Sequence, residues 1–150
     1  MDNFHCNVVS IGSTGLLIRG NSGDGKTSLT LGLLDRAARL GIPASLISDD
    51  QAFLETRDNA LFARVPEQIA GKIEIRGYGI VKHAFVPECR IDLVSDLVEI
   101  GEVERIPEAA STRLLGVALP LIKVPRQHEE GAIRIIFAAL DEHFAVSGSR

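Results

Sequence analysis

Gly20-Asn21-Ser22-Gly23-Asp24-Gly25-Lys26-Thr27 is the run around which the rest of this 150-residue chain is read. It fits G-x-x-x-x-G-K-[ST], a loop whose backbone N–H groups form a nest for phosphate oxygens. In such loops the lysine reaches the β and γ phosphates and the hydroxyl coordinates Mg²⁺. Context supports the motif. Leu16-Leu17-Ile18-Arg19 ahead of it is a short apolar run bounded by glycines, which reads as a buried strand. Behind it, Ser28 to Leu40 carries Leu29, Leu33 and Ala37, and Leu31, Leu34 and Ala38, at helical spacing, closed by Gly41 and Pro43. Strand, glycine loop and helix occur in the required order, and the helix N-terminus adds partial positive charge. The candidate nucleotide-binding residues are Gly20, Asn21, Ser22, Gly23, Asp24, Gly25, Lys26, Thr27 and Ser28.

Upstream, Cys6 to Ile11 and Leu16 to Arg19 are joined by Gly12-Ser13-Thr14-Gly15, a predicted β-hairpin feeding the loop. Downstream, Ala44 to Ser48 predicts a buried strand ending in Asp49-Asp50, 22 and 23 residues beyond Thr27. Ligands of open α/β sheets bind outside the carboxyl ends of the strands, so these carboxylates should face the phosphates. One of them would hold Mg²⁺, directly or through water, or accept the proton of an attacking hydroxyl. The alternative is a solvated acidic turn or a helix cap.

Gln51 to Arg57 and Ala60 to Val65 flank Asp58-Asn59 and predict a second hairpin. Pro66 to Gly71 is a connector or a single helical turn. In Lys72 to Ile80, alternation predicts a strand with Ile73 and Ile75 on one face and Glu74 and Arg76 on the other, presented for function or as a cross-strand ion pair. Ile91 to Ile100 reads as a strand, Glu102 to Glu108 as a polar connection, and Leu114 to Pro125 as an edge or terminal strand because of its prolines. Arg126 to Gly131 reads as a mobile loop, Ala132 to Phe144 as the last helix, and residues 146–150 as a fraying end.

Composition fits one soluble domain spanning 1–150, with 45% hydrophobic and 24% charged residues. A net charge of −4 and a pI near 5.5 give no general attraction to nucleic acid or anionic membrane. The N-terminus lacks signal-peptide features and no run is long enough to span a membrane, so the expected location is cytoplasmic. Cys6 and Cys89 are too few and isolated for a disulfide scaffold or zinc site and read as packing residues.

These motifs together resemble a family. The loop Gly20 to Thr27, the strand ending in Asp49-Asp50 and the block Ile73-Glu74-Ile75-Arg76-Gly77-Tyr78-Gly79-Ile80 are similar, in the same order, to the catalytic domain of bacterial HPr kinase/phosphorylase. His5, Glu104-Arg105 and Pro120-Leu121-Ile122-Lys123-Val124-Pro125 also match, so the resemblance covers about residues 4–140. It implies an α/β fold, a P-loop kinase core similar to phosphoenolpyruvate carboxykinase with a mixed sheet, β-hairpins and few helices. It also implies hexameric assembly and ATP- and Mg²⁺-dependent phosphorylation of a serine on the phosphocarrier HPr, which many members reverse by phosphorolysis. Carried over by position, Lys26 holds the β and γ phosphates, Thr27 and Glu74 bind Mg²⁺, and Asp49 is the base, with Asp50 its close competitor. His5 contacts the transferred or inorganic phosphate, and Arg105 assists transfer with Arg76 second in line.

The chain departs from the pattern in places. It resembles the short forms without the extra N-terminal domain, Ser28 replaces the usual acidic residue after the loop, and the C-terminal helices look shortened. Arg126 to Gly131 replaces a proline-glycine-arginine turn associated with phosphorolysis, which makes kinase activity the primary expectation. The alternatives are a small-molecule P-loop kinase, whose lid the segment Glu102 to Arg113 matches only weakly, and a nucleotide-dependent regulatory module that has lost transfer.

Overall fold

The computed structural model describes residues 2–144. In chain order the elements are β1 (Asp2–Phe4), β2 (Asn7–Ile11), β3 (Thr14–Arg19), α1 (Lys26–Arg39), β4 (Ala44–Ser48), β5 (Ala52–Arg57), β6 (Ala60–Arg64), β7 (Lys72–Ile75), β8 (Gly79–Lys82), β9 (Glu88–Arg90), β10 (Leu93–Val98), β11 (Ala110–Leu114), β12 (Val117–Pro125) and α2 (Glu129–Phe144). Two 3₁₀ turns, Glu67–Ile69 and Ile100–Glu102, complete the order. The expected end segment 146–150 lies outside the described residues.

A six-stranded mixed sheet in the order β11-β12-β10-β3-β2-β4 forms the centre. β3, β10 and β12 run parallel, so their carboxyl ends open on one side, while β2 returns antiparallel to β3 through a two-residue turn. Alternation along the hairpin divides the core. Val9, Leu16 and Ile18 pack with Leu29 and Leu33 of α1 and Ile133, Ile136 and Leu140 of α2. Val8 and Leu17, pointing the other way, pack with Leu54 and Leu61 of a second, antiparallel sheet, β1-β5-β6-β9. A sheet buried on both faces explains why β3 reads as an uninterrupted apolar run rather than an alternating one.

Gly15 of β3 packs directly against the end of β9 in the second sheet. A Cβ there would lie 1.8 Å from the Arg90 carbonyl oxygen. At the far end of α1, Gly41 at φ 72° closes a Schellman motif: its N–H donates to the Ala38 carbonyl and that of Ile42 to the Ala37 carbonyl. Among the described residues no helix is long and apolar enough to cross a membrane.

Four sequence expectations are corrected. Lys72 to Ile80 is not one strand but the hairpin β7–β8, turning at Arg76-Gly77-Tyr78, with Gly77 at φ 91° supplying a backbone that alternation cannot signal. Arg76 therefore lies in the turn and not on the strand face beside Glu74. The proline-bearing strand β12 is not an edge, because the polar stretch before it contributes β11, which pairs antiparallel through a two-residue turn at Leu115-Gly116. Arg126 to Gly131 is not a loose loop: Arg126 N–H donates to the Val98 carbonyl and α2 starts at Glu129. The short strands β1 and β9 have no sequence signal of their own, since pairing with β5 and β6 makes them strands.

Candidate active site

The loop Gly20 to Thr27 leaves β3 at its carboxyl end and enters α1. Gly23 and Gly25 take φ 87° and 95°, values that L side chains strain to reach, and Gly25 caps α1 in the left-handed region. The first turn of α1 contains no acidic residue, with Ser28 exposed at the position noted above. Lys26 is 6% exposed and its Nζ donates to the Gly20 carbonyl at 2.9 Å and the Asn21 carbonyl at 3.3 Å. The ammonium is held at the mouth of the loop by weak neutral acceptors, which phosphate oxygens can replace with stronger charge-assisted bonds.

Asp49, at the end of β4, is buried and faces this loop. Its Oδ1 accepts from Thr27 Oγ1 at 2.8 Å and Asn7 Nδ2 at 2.7 Å, and its Oδ2 from the Glu74 N–H at 3.3 Å. Asp50 turns the opposite way. At φ 72° its carboxylate is exposed, with Oδ1 2.5 Å from His5 Nε2. Glu74 is brought to the site through its backbone contact with Asp49, its own side chain exposed on β7. Arg105 and Arg76 are exposed, on the connection before β11 and in the β7–β8 turn, and make no hydrogen bond or ion pair among the described residues.

Three groups at the site escape a reading of the sequence by motif. Asn7 is fully buried on β2; Nδ2 also donates to Thr30 Oγ1 at 2.9 Å, and Oδ1 accepts the Asp50 N–H at 2.9 Å. It ties the hairpin, α1 and both aspartates together. The available signal is an asparagine inside a strand, where that residue is depleted. Arg126 and Gln127 reach the loop from the end of β12. Arg126 Nε lies 2.9 Å from Asp24 Oδ1, off the N–H axis, so the contact is an ion pair rather than an aligned hydrogen bond, while Nη1 donates to Glu99 Oε1 at 2.5 Å. The Glu99 bond first, and the Asp24 charge second, raise the pKa of the guanidinium further. Gln127 Nε2 donates to the Gly23 carbonyl at 3.1 Å. A cleft of about 240 Å³ opens beside the loop, floored by Leu29, Leu97, Pro125 and Ala132.

The Thr27 hydroxyl and the Asp49 carboxylate beside it offer oxygen donors, the kind that suits Mg²⁺, while the Glu74 carboxylate stands exposed on β7. Among the described residues no three His, Cys, Asp or Glu side chains form a cage.

A glycine loop between a central parallel strand and a helix N-terminus, faced by a buried strand-end carboxylate, defines a P-loop domain. The chain belongs to the family described as HPr Serine kinase C-terminal domain, which matches residues 1–147. It is 31% identical to an HPr kinase/phosphorylase of Prosthecochloris aestuarii, aligned over 81% of this chain and 38% of that protein. To the HPr kinase/phosphorylase of Mycoplasma mycoides subsp. mycoides it is also 31% identical, over 97% and 49%. The chain thus spans less than half the length of these relatives. A solved structure of the Hpr(Ser) kinase/phosphatase from Coxiella burnetii superimposes with a TM-score of 0.81 at 25% identity, covering 97% of this chain and 92% of that one.

Proposed function

We propose that the protein transfers the γ-phosphoryl group of ATP to a serine of HPr. The observation that carries this reading is the P-loop held against a buried strand-end carboxylate, Thr27 to Asp49 at 2.8 Å, in a chain of this family. Loop N–H groups and Lys26 cradle the phosphates, so binding energy goes into in-line placement of the γ phosphate. Thr27 and Glu74 would hold Mg²⁺, which would supply neutralisation of phosphate charge.

The two aspartates take different roles in this scheme. Asp49 Oδ1 already accepts two hydrogen bonds, so Asp49 orients Thr27 and the metal side of the site. Asp50 is exposed where a protein acceptor arrives, and with Oδ1 held by His5 its second oxygen is left for the serine hydroxyl proton. The base assignment thereby moves from Asp49 to its competitor. His5 lies beside the transferred phosphate, and Arg105, with Arg76 second, meets developing charge from the exposed segments. A cytoplasmic setting and hexameric assembly belong to the same reading; exposed Tyr78, Ile80 and Ile106 offer apolar surface for assembly.

The test is transfer of label from γ-labelled ATP to purified HPr and to HPr whose regulatory serine is alanine, with Lys26→Ala as control. Serine-dependent labelling that Lys26→Ala abolishes supports the proposal. ATP binding without labelling would favour a different acceptor or a regulatory module.

A further inference from the structure

Asp24 places a carboxylate inside an anion-binding loop. Its side chain is 4% exposed, and Oδ2 accepts the Asn21 N–H at 2.7 Å. An unpaired charge so close to the phosphate nest would repel the ligand the nest is built for, and attraction or repulsion at a few ångströms is large where water is excluded. Arg126 supplies the opposite charge from a separate element. Its guanidinium bridges Asp24 Oδ1 and Glu99 Oε1, and its own N–H is fixed to the end of β10 through the Val98 carbonyl. Gln127 adds two bonds to the same loop, its N–H donating to the Asp24 carbonyl at 3.3 Å and its side chain to the Gly23 carbonyl. In a trans peptide the C=O and the following N–H point in opposite directions. Drawing the Asp24 carbonyl toward Gln127 therefore turns the Gly25 N–H away from Gln127.

We infer that Arg126 is a positioning residue for phosphate binding: it neutralises Asp24 and, with Gln127, holds the loop in place. The inference rests on the nucleotide-binding reading of the loop. It makes the turn between β12 and α2 part of the nucleotide site, so movement of that turn changes ATP affinity without touching the phosphates.

Calorimetric titration of Mg²⁺-ATP into the full chain tests it, with Tm measured alongside, for the wild type, Arg126→Ala, Arg126→Lys, Asp24→Asn and the double variant Asp24→Asn/Arg126→Ala. Arg126→Ala is expected to raise Kd on the order of tenfold or more, because it leaves the buried Asp24 carboxylate without its partly exposed partner beside the phosphate nest. Arg126→Lys should fall between it and the wild type, and the double variant should return to within about threefold of the wild type. If Arg126→Ala does not fold, Arg126→Lys and the neutral double variant carry the comparison with the wild type. A wild-type Kd in Arg126→Ala with only Tm lowered would overturn the inference, as would a double variant that binds tenfold or more weakly than the wild type. Failure of the wild type to bind would overturn the nucleotide reading itself, and this inference with it.

Discussion

Thr27 Oγ1 donates to Asp49 Oδ1 at 2.8 Å, joining the last residue of the loop to a strand end that lies across the hairpin from it. The second donor on the same oxygen is Asn7 Nδ2 at 2.7 Å. With Oδ1 occupied from both sides, Asp49 is fixed before any ligand arrives, whereas Asp50 next to it is exposed and bound to His5.

The two carboxylates should therefore separate kinetically. Asp50→Asn is expected to leave the Kd for Mg²⁺-ATP within about threefold and lower kcat by about 100-fold or more, the usual range for loss of a general base. Asp49→Asn is expected to raise both the Kd and the Mg²⁺ concentration required. Single-turnover transfer and titration calorimetry check this, and retained kcat in Asp50→Asn would return the base to Asp49.

Asn7→Ala should be costly although Asn7 belongs to no motif. It removes two buried hydrogen bonds and a partly buried third, which leaves the Asp50 N–H without its acceptor. A loss of about 2–3 kcal/mol follows, since buried groups left unmade cost about 1–3 kcal/mol each. For a chain of this size that is a fall in Tm of roughly 5–10 °C, measurable by calorimetry, with ATP affinity reduced as Asp49 loses its anchor.

Gly15→Ala should not yield a stable fold. The added methyl meets a backbone oxygen at 1.8 Å, and Gly15 is pinned by its N–H to Asp92 Oδ2 at 2.9 Å. Neither sheet can yield without breaking pairing, so a loss above about 4 kcal/mol is expected. Gly101→Ala, where no atom lies within 4 Å, is the matched control and should change Tm by little.

Alkaline pH should weaken the fold through its thiols. Burial, the largest cause for each, pushes both Cys6 and Cys89 up to about 12. An unfolded thiol ionises near about 8.5, so between that pH and about 12 the unfolded chain has lost protons that the native chain keeps. Stability therefore falls as pH rises through this window. Urea unfolding at pH 8 and 10.5 should show a steeper loss for the wild type than for Cys6→Ala, and the native protein should resist alkylation at pH 8.

The glycine loop, its strand and helix, the two early hairpins and Asp49 were all legible because each depends on local spacing: a motif of fixed length, a 3.6-residue period, or turn residues between apolar runs. The sequence by itself determined the glycine loop and the hairpin that precedes it. Tertiary structure decided the rest. Adjacent and chemically identical, Asp49 and Asp50 were separated only when a left-handed backbone at Asp50 sent one carboxylate inward to Thr27 and the other out to His5. Asn7 and Arg126 gained their roles from partners up to 102 residues away, Arg126 from Asp24. β11 and β9 became strands by pairing with neighbours. Pairing, and the charge balance of a buried carboxylate, are properties of distance in space, which spacing along the chain does not encode.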